Sequence, residues 1–418
     1  MKRIIARAMK PIVSRVFEPD MGKCYNLSDI ERAARGRCHR FVYDYIAGGS
    51  DDERAVANNR KAFTAYEQKP YVLNGVGPKN VSLKTKLLGS ELEIPFISAP
   101  IAGNSMFHTD AEVAVAKQCK RFGTAYALST LATSSCSEIN EALGGSEEAK
   151  KTPRMFQLYV WKQGKLVDDS IKRAKEAGFE TLVLTVDLTW FGNRERDKRN
   201  GFSIPPKIFD LNFVLECLKK PCWTVDALIA QDRKFEYAAL RDDEKLMEKQ
   251  RDDMAGFVHE VFNPTFDWED AKVLRKQWGK KFILKGVHRA EDAIKAFEYL
   301  DADAVWISNH GGRQLDGAIA PIDALKEIRE AVGESRELII DGGIQRGSDI
   351  ALALALGANA VAIGKPIAFG LAAAGEKGVE RTFTILKEEL ERTMGLCGTR
   401  TIDDLRTRGK DIFVRSSL

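Results

Sequence analysis

No run of about 20 apolar residues occurs in this sequence, so nothing in it reads as a bilayer span. The N-terminus lacks the apolar core of a secretory signal. Sixty-four basic residues face 60 acidic ones, a net charge of +4, which excludes the one-sided field that nucleic-acid binding draws on. Seven cysteines (Cys24, Cys38, Cys119, Cys136, Cys217, Cys222 and Cys397) are scattered and odd in number, with neither a C-x-x-C pair nor a Cys/His cluster of zinc spacing. Reduced thiols, a reducing compartment and no metal site are the expectation. A G-x-G-x-x-G dinucleotide fingerprint is also missing.

What is present is a globular composition, 44% hydrophobic and 30% charged over 418 residues, enough for one large barrel with decorations or two ordinary domains. The first segment, Met1 to Phe17, carries Lys2, Arg3, Arg7, Lys10 and Arg15 and meets its first acid at Glu18. It suits a transit peptide, a helix on an anionic membrane surface, or a frayed basic tail, and Pro11 argues against one uninterrupted helix.

Eight short β-branched runs recur: Phe96 to Ala99, Thr124 to Ser129, Phe156 to Val160, Thr181 to Asp187, Phe282 to Val287, Ala304 to Asn309, Leu338 to Asp341 and Ala360 to Ile363. Each reads as a buried parallel strand. Helical patterns lie between them, among them Asp168 to Ala177, Glu291 to Tyr299, Ile322 to Ala331 and Ser348 to Leu356. This alternation predicts an α/β fold, a (β/α)8 TIM barrel rather than a doubly wound sheet. Leu27 to Gly48 reads as an N-terminal helical cap with Asn26 or Ser28 as helix cap. The spacing breaks only after strand four, where about 201–267 forms a long insertion of the kind barrels place at a working face. Its first part, Ile208 to Ala230, is apolar and aromatic beside Lys207, Lys219 and Lys220, and suits docking on lipid or covering the substrate; its second, Arg233 to Asp253, is densely charged and reads as a solvated helix or disordered chain. The expected organisation is a basic segment 1–25, one barrel domain 26–400 and a tail 401–418.

Barrel sites lie at the C-terminal strand ends, so the residues there are the candidates. Strand three ends with Gln157 and Tyr159, strand four with Thr185 and Asp187, strand five with Lys285, strand six with His310 and Arg313, and strand seven with Asp341-Gly342-Gly343. His310, followed by two glycines and an arginine, is placed to act as a general base, since imidazole titrates near neutrality. Arg313 offers a planar fork for a carboxylate. Asp187 suits orienting His310, or else capping the following helix. Lys285 suits stabilising negative charge on a cofactor, or else a salt bridge in the barrel mouth. Gly342-Gly343 and Gly364-Lys365-Pro366, with Arg346 nearby, match the barrel phosphate cradle after strands seven and eight, for a flavin mononucleotide or a phosphorylated substrate.

With these residues in view, the stretch from about Asn26 to Arg400 resembles the FMN-dependent 2-hydroxy acid oxidases and dehydrogenases, most specifically through Ser308-Asn309-His310-Gly311-Gly312-Arg313-Gln314-Leu315-Asp316. The resemblance implies that His310, backed by Asp187, takes a proton from the substrate, that Arg313, Arg194 and Tyr45 bind its carboxylate, and that Tyr159 contacts its oxygen. It implies FMN held by Pro100, Ile101, Ala102, Ser129, Gln157 and Thr185, with Lys285 stabilising the reduced ring. Two positions depart from the family pattern: Gln345 stands where an arginine is usual, and Lys365 replaces the arginine of a Gly-Arg-Pro turn. Both help neutralise the phosphate, so weaker FMN retention is expected.

Glycolate-selective relatives usually carry tryptophan where this chain has Leu131, which leaves room for a methyl group and points to L-lactate; Phe191 keeps mandelate-like acids open. The acceptor is quinone or cytochrome, as in membrane-associated dehydrogenases, or oxygen, as in the oxidases. A catalytically silent FMN-binding scaffold is the reading from outside enzymology. Relatives are commonly tetramers, so a homo-oligomer is expected, in the cytoplasm or peripheral on the inner membrane, or in the mitochondrion of a eukaryote.

Overall fold

Strands bounded by glycines and polar turns, each feeding a helix, close on themselves in the computed structural model of this chain. It describes residues 2–145, 152–200, 211–230, 237–240 and 262–416. Strands β1 (Phe96–Ser98), β2 (Tyr126–Leu128), β3 (Arg154–Leu158), β4 (Thr181–Thr185), β5 (Lys281–Val287), β6 (Ala304–Ile307), β7 (Glu337–Ile340) and β8 (Ala360–Ile363) form one parallel sheet in chain order, with β8 beside β1. The seam between β1 and β2 is closed by Ser98, whose N–H donates to the Ala125 carbonyl at 3.3 Å and whose Oγ accepts from the Ala127 N–H at 3.1 Å. This is the (β/α)8 barrel expected from the alternation.

Alternation within the strands decides what lies inside the ring. Ile97, Ala127, Met155, Val183, Ile283, Trp306 and Ile339 point inward and pack on Leu87, Leu88 and Leu92 of a hairpin (Thr85–Leu87 with Ser90–Leu92) that plugs the bottom. Residues one step along, such as Phe156, Leu182, Phe282, Val305 and Leu338, face the helices. Two steps up from the inward apolar residues come Ser129, Gln157, Thr185, Lys285, Ser308 and Asp341. The same parity that fills the lower barrel with hydrocarbon therefore lines its mouth with polar groups.

Before the barrel lie helices α1 (Lys2–Phe17), α2 (Leu27–Arg37), α3 (Arg40–Ala47) and α4 (Arg54–Phe63). Asn26 caps α2, its side chain accepting from the Asp29 N–H, and a break at Cys38 and His39 separates α2 from α3. Contrary to the expectation from Pro11, α1 is one helix with that proline inside it. An interior proline costs about 3 kcal/mol. Packing offsets it: Ala6 and Val13 are buried against Cys222 and Val225, and Lys10 pairs with Asp226 at 2.9 Å.

Within the insertion, α5 (Leu211–Lys219) and α6 (Pro221–Ala230) are helices. The stretch Ile208 to Ala230 thus divides. Helix α6 belongs to the interior, with Trp223 buried and its indole N–H donating to the Met106 carbonyl at 2.9 Å. Helix α5 leaves Leu211, Val214, Leu215 and Leu218 exposed; positions 208–210 lie outside the described residues. Most of Arg233 to Asp253 also lies outside them. The described turn 237–240 is not solvated as the charge of its surroundings suggested: Tyr237 and Leu240 are buried, and the Ala238 N–H donates to the Ala132 carbonyl at 2.9 Å. After the barrel, the segment Phe413–Arg415 pairs antiparallel with Tyr66–Gln68.

Candidate active site

The sequence pattern extended strands four and six to Asp187 and Asn309, but the ladders stop at Thr185 and Ile307, and the residues beyond them turn over the barrel mouth. His310 adopts φ +57°, and Gly311 and Gly312 follow at +65° and +79°. Glycine takes this conformation freely, whereas histidine takes it at a cost on the order of 1 kcal/mol. Side-chain bonds hold the turn: Asn309 Oδ1 accepts from the Gly312 N–H at 3.1 Å, and the His310 N–H donates to Ser308 Oγ at 3.1 Å. Asn309 also exchanges two amide hydrogen bonds with Asn59 of α4, at 2.8 and 2.7 Å. Helix α4 lies against the turn so closely that a Cβ on Gly312 would meet the Val56 backbone nitrogen at 2.6 Å.

The imidazole of His310 faces Asp187 on one side, with Nδ1 to Oδ1 at 3.0 Å, and Tyr159 on the other, with Nε2 to the phenol oxygen at 3.3 Å. Asp187 is therefore a partner of His310 and not the cap of the next helix. Burial pushes the imidazole below its ordinary value, and the Asp187 carboxylate opposes that shift. Burial alone would raise the Asp187 carboxyl, but the charges of His310 and Lys285 hold it below its usual range. A neutral ring with one nitrogen fixed by a carboxylate and the other turned to a cavity can accept a proton there.

That cavity has a volume of about 340 Å³. Of the residues singled out from the sequence, Tyr45, Pro100, Ile101, Ala102, Leu131, Tyr159, Thr185, Arg194, Lys285, His310, Arg313, Asp341, Gly342, Gly343, Gln345, Gly364 and Lys365 line it. Asp187 stands one hydrogen bond behind the wall, on His310, and so does Ser129, whose Oγ accepts from the Leu131 N–H; Gln157 lies behind Ser129. On the His310 side, Arg313 stacks over the Tyr45 ring, 4.6 Å from its centre, and its Nη1 donates to the carbonyls of Tyr45 and Gly48 at the end of α3. Burial, and then the proximity of Arg313, lower Arg194 to about 10. Two guanidinium groups crowded in one wall repel each other, and a carboxylate placed between them would relieve both. The remaining wall is apolar and aromatic: Leu131, Tyr237 and Phe191, which stacks on Phe262 with ring centres 5.5 Å apart.

Across the mouth, Lys285 Nζ donates to Ser308 Oγ at 2.9 Å and lies 3.5 Å from Asp341 Oδ2, while the Ser308 hydroxyl donates to Asp341 Oδ1 at 2.8 Å. The buried lysine thus has its ion pair and still borders the cavity. Ser129 Oγ donates to Gln157 Oε1 at 3.2 Å, but Gln157 Nε2 and Thr185 Oγ1 are buried with no partner among the described residues. Orphaned buried polar atoms are costly, and these two with Lys285 match the alternating N–H and C=O groups on the polar edge of a flavin ring. Beyond them, the turn Gly342-Gly343, Gln345 and the start of α7 (Lys365–Cys397) line the end of the cavity where a phosphate is expected, whereas the helix after strand seven, Gly347–Ala355, does not reach it: its Gly347 N–H donates to Glu389 Oε2 at 2.8 Å. A Cβ on Gly343 would lie 2.1 Å from the Asn59 carbonyl oxygen, so only glycine fits between that turn and α4.

Sequence reasoning missed Asn59, Tyr237 and Phe262. Asn59 sits in an ordinary amphipathic helix, and the other two belong to the insertion, where no strand parity indicates which side chains turn inward. Among the described residues no helix is long and apolar enough to cross a membrane.

Comparison with known proteins adds a third line of evidence. The family model of the FMN-dependent dehydrogenases matches residues 34–410. An L-lactate oxidase of Nostoc sp. is 36% identical over 91% of this chain and 96% of its own length. The 2-hydroxyacid oxidase 1 of Mus musculus is 35% identical over 90% of this chain and 93% of its own length. Among solved structures, the monotopic membrane protein (S)-mandelate dehydrogenase superposes with a TM-score of 0.85 at 32% identity, covering 94% of this chain and all of its own.

Proposed function

This chain belongs to the FMN-dependent dehydrogenase family, and from that premise we propose that it oxidises a small L-2-hydroxy acid, L-lactate first among them, and passes the electrons to a quinone or cytochrome at a membrane surface. The observation that carries the chemistry is the convergence of the paired His310 and Asp187 with two arginines on one cavity.

In this reading Arg194 and Arg313 bind the substrate carboxylate, and Tyr45 packs beneath Arg313. Tyr159, whose phenol burial keeps protonated, donates to the substrate oxygen. His310 takes a proton at Nε2, and Asp187 stabilises the imidazolium that results. FMN, when bound, would take up the two electrons and the second proton that leave the substrate as its C2 hydroxyl becomes a ketone. Gln157, Thr185 and Ser129 would hold the polar edge of the ring, Pro100, Ile101 and Ala102 its other side, and Lys285 would stabilise the charge it gains. Leu131, with no large ring at that position, leaves space for the methyl of lactate. Phe191 stacked on Phe262 supports a second reading, a mandelate-like substrate with an aryl group on C2.

The acceptor reading rests on two exposed apolar faces. Helix α1 presents Ile4, Ile5, Met9, Ile12, Val16 and Phe17 to solvent and contains no acid, and α5 presents Leu211 and Leu218 at 70% and 74% exposure. Apolar faces beside lysines and arginines are the signature of helices that lie in an anionic bilayer surface. Ile12→Glu with Leu218→Glu is expected to lower the fraction floating with phosphatidylglycerol vesicles by at least about tenfold, with turnover of a soluble dye acceptor unchanged. Flotation equal to that of the parent protein would remove this surface from the account.

Substrate and acceptor are tested together. The FMN-loaded protein is mixed anaerobically with L-lactate, glycolate and (S)-mandelate while flavin bleaching is followed. Reoxidation is then compared between a short-chain quinone and oxygen. Fastest bleaching by L-lactate and faster reoxidation by quinone are the expected outcomes. Rapid peroxide release would instead make the protein an oxidase, and flavin left oxidised by all three acids would make it a silent scaffold.

A further inference from the structure

Four basic or polar side chains come from the segments around the phosphate recess, and they are not equivalent. Arg346, the charged residue nearest Gly343 in sequence, turns away: its Nη1 donates to Glu389 Oε1 at 2.7 Å and its side chain is half exposed. Gln345 lines the cavity without charge. Lys365 lines it too, but its Nζ already donates to the Ala47 and Gly48 carbonyls at 2.9 and 3.0 Å, which leaves one N–H. The fourth is Arg60, on α4.

Arg60 is held at the recess by the residue before it. Asn59 is fixed to Asn309 by the paired amide bonds, and its carbonyl touches Gly343. Among the described residues the guanidinium of Arg60 is weakly engaged, its contact being one of 3.5 Å to Glu31 Oε2, while the other Glu31 oxygen accepts from the Tyr43 hydroxyl at 3.1 Å. Burial, and then the charges of Arg313 and Arg60, lower Lys365 well below its ordinary value. A recess in which Lys365, Arg60 and Arg313 repel one another, with Glu53 only partly opposing, is stabilised by a dianion.

We propose that Arg60 binds the phosphate of FMN and supplies, from the N-terminal helical layer, the charge that Gln345 does not provide. The inference rests on FMN being the cofactor. It makes the amide pair between Asn59 and Asn309 a positioning device that serves both ends of the site, holding the His310 turn and presenting Arg60 to the phosphate.

The experiment is titration of flavin-stripped protein with FMN and, separately, with riboflavin, which lacks the phosphate. Preference of the parent protein for FMN over riboflavin tests the cofactor reading and is measured first. Arg60→Gln is then expected to weaken FMN binding by about 10- to 100-fold, the worth of a charge-assisted hydrogen bond, and to leave riboflavin affinity within about twofold. Arg60→Lys, which keeps the charge, should lose less. Adding Gln345→Arg to Arg60→Gln should restore FMN affinity, and Glu31→Gln should leave it unchanged or tighter. Unchanged FMN affinity in Arg60→Gln overturns the proposal. So does an equal loss for both flavins, or a Glu31→Gln variant that behaves like Arg60→Gln, because either means that Arg60 acts only as a structural partner.

Discussion

Replacement of His310 by glutamine is expected to reduce kcat/KM for L-lactate by about 10²- to 10⁴-fold while the protein still binds FMN, since a positioned general base contributes on that scale. Glutamine keeps a polar side chain in the turn, so the loss reports proton transfer more than folding. Anaerobic flavin bleaching measures it directly, and bleaching at the parent rate would remove His310 from the role of base. The pH profile carries the same information. The base must be unprotonated, and burial favours its neutral form, so kcat/KM should be flat through neutrality and fall tenfold per pH unit below an acid limb lying under the ordinary 6.5. Asp187→Asn removes the carboxylate that favours the imidazolium. The limb then moves to still lower pH, and the plateau drops because the charge that forms on His310 goes unmatched. A limb above pH 7 in the parent protein would contradict a burial-dominated imidazole.

Arg194→Met should raise KM for L-lactate by roughly 30- to 700-fold, corresponding to about 2–4 kcal/mol of lost charge-assisted hydrogen bonding. Arg194 is the cleaner probe of carboxylate binding. Arg313 also donates to the end of α3 and stacks on Tyr45, so its removal disturbs the helical layer as well. Arg194 Nε is buried without a partner among the described residues, which leaves it free to serve a substrate. Arg194→Lys should recover only part of the loss, because an ammonium cannot match a carboxylate with two parallel bonds. A parent-like KM in both variants would place the carboxylate elsewhere in the cavity.

The two sets of expectations differ in how local they are. That Met155 and Gln157, Val183 and Thr185, or Ile339 and Asp341 share a face follows from strand periodicity, so the barrel and the polar crown of its mouth were legible from the order of residues. The run from Ser308 to Asp316 was likewise legible, because its glycines and its histidine act within one turn.

Other features needed contacts between residues far apart in the chain. Pro11 argues against a continuous helix until α6, some 200 positions away, buries Ala6 and Val13. Tyr237 sits in a charged stretch yet is buried, because the Leu131 loop anchors the next residue: the Ala238 N–H donates to the Ala132 carbonyl. The phosphate recess shows this most sharply. Sequence order placed Arg346 and Lys365 beside it, but Glu389 draws the first away and the carbonyls of α3 hold the second. Arg60 arrives instead from a helix more than 280 residues earlier, presented by Asn59. Periodicity and turn chemistry are carried by neighbouring residues, and so the sequence alone determined the barrel, its crown and the His310 turn. Which cations remain free to meet a ligand depends on competition among all the carboxylates and carbonyls in reach, and only the tertiary structure decided that.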